Sequence, residues 1–149
     1  MIILVYFAYF IFYLYFKSGE RRRLTPPRFF PKVSIVVPAY NEAMNIERLI
    51  ESIQYQDYPP FENCEVIIVD DGSQDGTAEI AKRLGAKVIR HERNTGKAKA
   101  LEDGIKAAKG GEVILTMDAD SYFADGSSLK NVVENLFSRR FIGISTGGL

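Results

Sequence analysis

"KVSIVVPAYNEAMNIERLIESIQYQ", residues 32–56, changes its period part-way, and that change decides the fold. Its opening, "KVSIVVP" (32–38), is an unbroken β-branched run, the pattern of a strand covered on both faces. From Glu42 the spacing turns helical, with Ile46, Leu49, Ile50 and Ile53 on one stripe. The alternation then repeats. Residues 65–70 and 86–91 read as strands, with a short helix at 77–85 between them closed by Gly85. Next come a helix inside 96–111 with Leu101, Ile105 and Ala108 inward, and a strand at 112–117. A helix at 127–138 puts Leu129, Val132, Val133 and Leu136 on one face, and a fifth strand starts at 141–146. Strands and helices joined this closely imply right-handed βαβ units. The expected class is therefore α/β, a mostly parallel sheet with helices on both faces.

The ends of the chain have a different character. Residues 1–16 carry no charge and are rich in aromatics. As a helix they would reach about 24 Å against a hydrocarbon core of roughly 30 Å. Tyr and Phe occur all round, with no polar face, so 1–17 is expected to be a single membrane-spanning helix rather than a core helix. No basic segment precedes it and no small-residue site follows, which argues against a cleaved signal peptide. Lys17, Arg21, Arg22 and Arg23 follow directly, which by the positive-inside tendency keeps the remainder of the chain in the cytoplasm. Residues 18–31, basic and then Pro-rich, read as a linker, and 32–149 as the domain. With 19 basic and 19 acidic residues there is no global field for nucleic acid. Lone Cys64 forms no internal disulfide, and lone His91 reads as a surface residue at a strand end.

In parallel α/β sheets ligands bind beyond the carboxyl ends of the strands. Here those ends read "PAYNE", "DDGSQDGT", "HERNTGKAKA" and "DADSY", more acidic than turns require. Asp118 and Asp120 end the fourth strand one residue apart, and alternate residues of an extended chain point the same way. Together with phosphate oxygens and water they would suit Mg²⁺ or Mn²⁺. Taken alone, the pair fits a capped polar turn equally well. In "VDDGSQDGT", Ser73 or Asp75 suits an N-cap for the helix at 77. Capping needs one of the adjacent acids Asp70 and Asp71 and leaves the other free for a base edge or ribose. Asn41 is a candidate cap for the first helix, and Tyr40 offers a flat face for a base. Gly96 and Lys97 stand at a helix N-terminus, which favours phosphate. No Gly-x-Gly-x-x-Gly follows the first strand and no Walker loop occurs, which sets aside Rossmann dehydrogenases and P-loop enzymes.

Together "VSIVVPAYNE", "EVIIVDDGSQDGT" and "NTGKAKALEDGIKAAKGGEVILTMDADS" resemble the family 2 glycosyltransferases of GT-A fold, from about Lys32 onward and in the family's order. The pairing of "GKAKAL" with "DADS" is most similar to the membrane-bound processive branch, such as hyaluronan, chitin and poly-N-acetylglucosamine synthases. A polyprenyl-phosphate sugar transferase matches less well, because those enzymes commonly have Gln where Tyr122 stands. The resemblance implies a Rossmann-like donor-binding half that takes a nucleotide-diphospho-sugar, most often a UDP-sugar. Pro38, Tyr40 and Glu42 would line the nucleotide pocket, Asp71 with Asp70 beside it would read the base, and Lys97 would lie near the diphosphate. Asp118 and Asp120 would hold the divalent metal, Asp118 being shared with the ribose.

The resemblance also implies inversion at the anomeric carbon, with a general-base carboxylate roughly a hundred residues past the Asp-x-Asp. The sequence ends at Leu149, so the expectation is a donor-binding half that does not turn over alone. The alternative is a non-catalytic, split or truncated product that needs a separate C-terminal polypeptide. A haloacid dehalogenase-type phosphatase would carry its Asp-x-Asp after the first strand. A receiver domain would need a phosphoacceptor Asp and a late Lys that have no match here.

Overall fold

The structure, a computed structural model, describes residues 30–58, 63–108 and 110–138. Within them four strands, β1 (Val33–Ala39), β2 (Cys64–Asp70), β3 (Lys87–Arg90) and β4 (Val113–Thr116), form one sheet in the order β3-β2-β1-β4. All three pairings are parallel, with Val33 opposite Cys64 on one side of β1 and opposite Val113 on the other. Helices α1 (Ala43–Gln54), α2 (Thr77–Arg83), α3 (Lys97–Ala107) and α4 (Ser128–Ser138) alternate with the strands. The expected α/β class and element order are therefore present. The stretches expected to form a fifth strand and a membrane helix fall outside the described residues, among which no helix is long and apolar enough to cross a membrane.

The central strand explains the layering. Val33, Ile35, Val37 and Ala39 face one layer, where α1 contributes Ile46, Leu49, Ile50 and Ile53 and α4 contributes Leu129 and Val133. Val36, with Ile67 and Val69 of β2, faces the other layer and meets Ala100 of α3. Burying a large aliphatic side chain is worth about 1.5–3 kcal/mol, so the α1 stripe is a principal anchor of the sheet. The first described residues are docked as well: the Tyr58 hydroxyl donates to the Pro31 carbonyl at 2.8 Å, and Phe30 meets the Tyr58 ring edge-on.

The face of α3 differs from the expectation. Leu101 and Ala108, partly buried, pack on the Val36, Ile67 and Val69 layer as expected, but Ala100 and Gly104 are the buried residues and Ile105 is 42% exposed. The reason is steric. A Cβ on Gly104 would lie 2.3 Å from Val36 Cγ1 and 2.9 Å from Val69 Cγ2, so the helix sits too close to the sheet for a larger residue. Close approach won over the greasier stripe beside it.

Candidate nucleotide-sugar site

Because every strand runs the same way, the ends of β1, β2, β3 and β4 open on one rim. The first two loops there are latched to each other. Asn41, with φ of 56°, donates its N–H to Ser73 Oγ and accepts from the Gln74 N–H, at 2.9 and 3.0 Å. Glu42 N–H donates to Thr77 Oγ1 and Ala43 N–H to Asp75 Oδ2, both at 2.9 Å. Asp75 Oδ1 also accepts from the first amide of α2, at 3.1 Å, but the N-cap position is Gly76, so neither Ser73 nor Asp75 is the cap expected there. Asn41, expected to cap α1, does not. α1 has Glu42 at its N-cap position without a side-chain cap of its own, and the Glu42 and Ala43 N–H groups find their acceptors in Thr77 and Asp75 at the start of α2. Pairing of β1 with β2 lays the two loops side by side, so the cap comes from the neighbour.

The adjacent acids of β2 diverge. Asp70 is fully buried; its Oδ1 accepts from the Ser73 N–H at 3.0 Å. Its Oδ2 has no aligned hydrogen bond and meets Arg90 Nε as an ion pair at 3.2 Å. Arg90 goes on to Glu79 and to the Ser73 carbonyl, tying β3 to this loop. Asp71, 3% exposed, accepts from the Thr95 and Gly96 N–H groups and from the Thr95 hydroxyl, at 2.7–3.0 Å. His91 Nδ1 joins them 2.7 Å from Asp71 Oδ1, and its Nε2 lies 3.4 Å from Asp103 Oδ2. Burial acts to raise the Asp71 carboxyl, but the bonds from His91, Thr95 and Gly96 outweigh it and hold it at about 2. Asp71 thus fixes the 92–96 loop that leads into α3. Gly72 permits this: at φ +83°, a Cβ there would lie 2.8 Å from the Arg93 carbonyl carbon.

A cleft of about 340 Å³ opens at the rim, lined by Pro38, Tyr40, Glu42, Asp71, Lys97, Asp118 and Asp120 together with Asn94. Of the eight residues singled out from the sequence, only Asp70 does not line it. Tyr40 is half-exposed. Lys97 Nζ stands 2.6 Å from Asp118 Oδ1, whereas Asp120 has no ion pair among the described residues. β4 ends at Thr116, and Ser121 N–H bonded to the Asp118 carbonyl makes 118–121 a turn, so both carboxylates reach the cleft through that turn and not, as expected, by alternation along an extended chain. No group of three or more metal-ligating side chains occurs among the described residues. Two carboxylates are instead the usual protein share of a Mg²⁺ or Mn²⁺ site completed by phosphate oxygens and water, so the donor set fits such a metal. Two further residues bear on the cleft: Asn94 lines it, and His91 holds Asp71. The sequence offered no period that would have found them, since both depend on a loop folding back over β2.

The model of "Glycosyl transferase family 2" matches residues 34–145. The chain belongs to this family. The family 2 domain is 34% identical over 119 residues to the poly-beta-1,6-N-acetyl-D-glucosamine synthase of Staphylococcus epidermidis, covering 77% of this chain and 28% of that protein. Its fold is similar to the mannosyltransferase PcManGT of Pyrobaculum calidifontis, solved with GDP-Man and Mn²⁺, at a TM-score of 0.71 and 30% identity. That likeness covers 86% of this chain and 39% of the other. S. aureus TarS 1–349, solved with UDP-GlcNAc, matches at a TM-score of 0.61 and 36% identity, over 67% of this chain and 29% of TarS. The family 2 chain thus spans about a third of the length of the proteins it matches. The sheet and rim are a Rossmann-like GT-A arrangement.

Proposed function

We propose that this family 2 domain binds a nucleotide-diphospho-sugar, a UDP-sugar in the first instance, with a divalent metal, for glycosyl transfer with inversion. The observation that carries the reading is the convergence of Tyr40, Lys97, Asp118 and Asp120 on one cleft at the parallel rim. Tyr40 presents its half-exposed ring to the base, beside Pro38 and Glu42. Lys97, at the first turn of α3, faces the diphosphate, where helix-terminal N–H groups and a cation both favour anions. Asp118 and Asp120 would hold Mg²⁺ or Mn²⁺, which when bound stabilises the diphosphate leaving group. Asp71 holds the loop that presents Asn94 and Lys97, and its carboxylate also faces the cleft, where the base lies. We place the carboxylate that activates the acceptor hydroxyl outside the described residues, in a C-terminal half or partner polypeptide.

Isothermal titration of UDP with Mn²⁺ into the full chain and into Asp120→Ala tests the site. Heat in the first and at least a tenfold weaker response in the second is expected. Equal affinities would refute the assignment. GDP is titrated alongside, because the mannosyltransferase relative was solved with GDP-Man, and tighter binding of GDP would replace uracil by guanine.

The apolar stretch 1–16 and the basic cluster that follows it support a single-pass anchor in the cell membrane, with the domain on the cytoplasmic side. Protease protection of the full chain in right-side-out and inverted vesicles tests that orientation. Cleavage of the domain in right-side-out vesicles would refute it.

A further inference from the structure

We infer that Lys97 is an exchangeable counter-ion. It holds Asp118 while the cleft is free of metal and passes to the diphosphate when metal and nucleotide enter. This rests on the nucleotide-sugar reading and adds an order of events to it. Three features carry it. The Lys97 ammonium lies 2.6 Å from Asp118 Oδ1, so one of the two metal-facing carboxylates already has a cation, and Asp120 has none among the described residues. Both partners are more than half exposed, at 61% and 56% of their side chains, so the pair is weak enough to break. And the backbone beneath Lys97 is fixed, since Asp71 accepts from the Gly96 N–H at 2.8 Å, which leaves the flexible lysine stem as the moving part.

The consequence is a coupling between two ligands. A divalent cation arriving alone must displace Lys97 from Asp118. A diphosphate arriving with it gives the released ammonium a new partner. Metal and nucleotide therefore strengthen each other's binding by one common factor, as linkage requires, and part of that factor belongs to Lys97. Lys97→Met keeps most of the stem and removes the charge. Mn²⁺ alone should then bind about two- to fivefold more tightly, the factor an exposed ion pair is worth. UDP in saturating Mn²⁺ should bind more weakly, and the gain in Mn²⁺ affinity on adding UDP should shrink.

Lys99→Met is the control. It removes the same charge two residues along, where the ammonium pairs with Glu102 and Asp103 instead of Asp118. Free Mn²⁺ measured by its electron paramagnetic resonance signal against the full chain, with and without UDP, gives the affinities directly, and circular dichroism checks that each variant is folded. A gain in Lys97→Met that Lys99→Met lacks is the expected result. Unchanged or weaker Mn²⁺ binding in Lys97→Met, or an equal gain in Lys99→Met, would overturn the exchange. Mn²⁺ binding indifferent to Asp120→Ala would instead overturn the site itself, and the exchange with it.

Discussion

Replacing Asp71 by Asn removes one charge from a nearly fully buried position and keeps the shape. The carboxylate accepts from two backbone amides, one hydroxyl and one imidazole nitrogen, and these hold it at about 2 instead of the ordinary 3.8. A depression of that size corresponds to about 2 kcal/mol of stability while the group is ionised in both states. An Asn side chain offers one acceptor and turns two donors toward groups that are donors themselves, so its cost is at least comparable. The expected loss near neutral pH is about 2 kcal/mol, or roughly 8 °C in the unfolding midpoint for a chain of this size.

The pH dependence identifies the cause. Because the folded value lies below the unfolded one, the carboxylate's stabilisation is fully present above 3.8. It disappears as pH falls through the folded value of about 2. Guanidinium unfolding followed by circular dichroism, run on both proteins between pH 7 and pH 2, should show a constant gap down to about pH 5. The gap should then narrow steadily. A gap that stays the same at pH 2.5 and at pH 6 would refute the charge-based account, and a gap under about 0.5 kcal/mol at pH 7 would refute the clamp.

Two backbone positions give independent tests. Gly104→Ala should destabilise by about 1–3 kcal/mol through overpacking, because its Cβ would meet Val36 Cγ1 at 2.3 Å; the added Val36→Ala change should recover part of the thermal midpoint. Gly72→Ala combines a left-handed φ with a 2.8 Å approach to the Arg93 backbone, so it should lift the 92–96 loop. Faster proteolysis near Arg93 and loss of UDP binding, with the far-ultraviolet spectrum retained, are the expected readouts.

The sequence by itself determined the order of elements, the parallel sheet and most of the cleft. Those properties are written in periods and in short connections: Ile46, Leu49, Ile50 and Ile53 can share one face only in a helix, and a covered β-branched run such as Val33–Val37 suits a parallel strand. Once the strands are parallel, their carboxyl ends must share a rim, so Tyr40, Lys97, Asp118 and Asp120 were legible together. Local reasoning failed wherever two distant segments meet. α1 takes its caps from the 73–77 loop, α3 turns its smaller face to the sheet, and Asp71 is clamped by a loop more than twenty residues away. His91 read as a surface residue at a strand end because it stands alone in the sequence; the fold brings Asp71 and Asp103 to its two nitrogens. Periodicity reports which face of an element is apolar, but only packed backbones decide how closely two elements approach. That closeness chose Gly104 over Ile105.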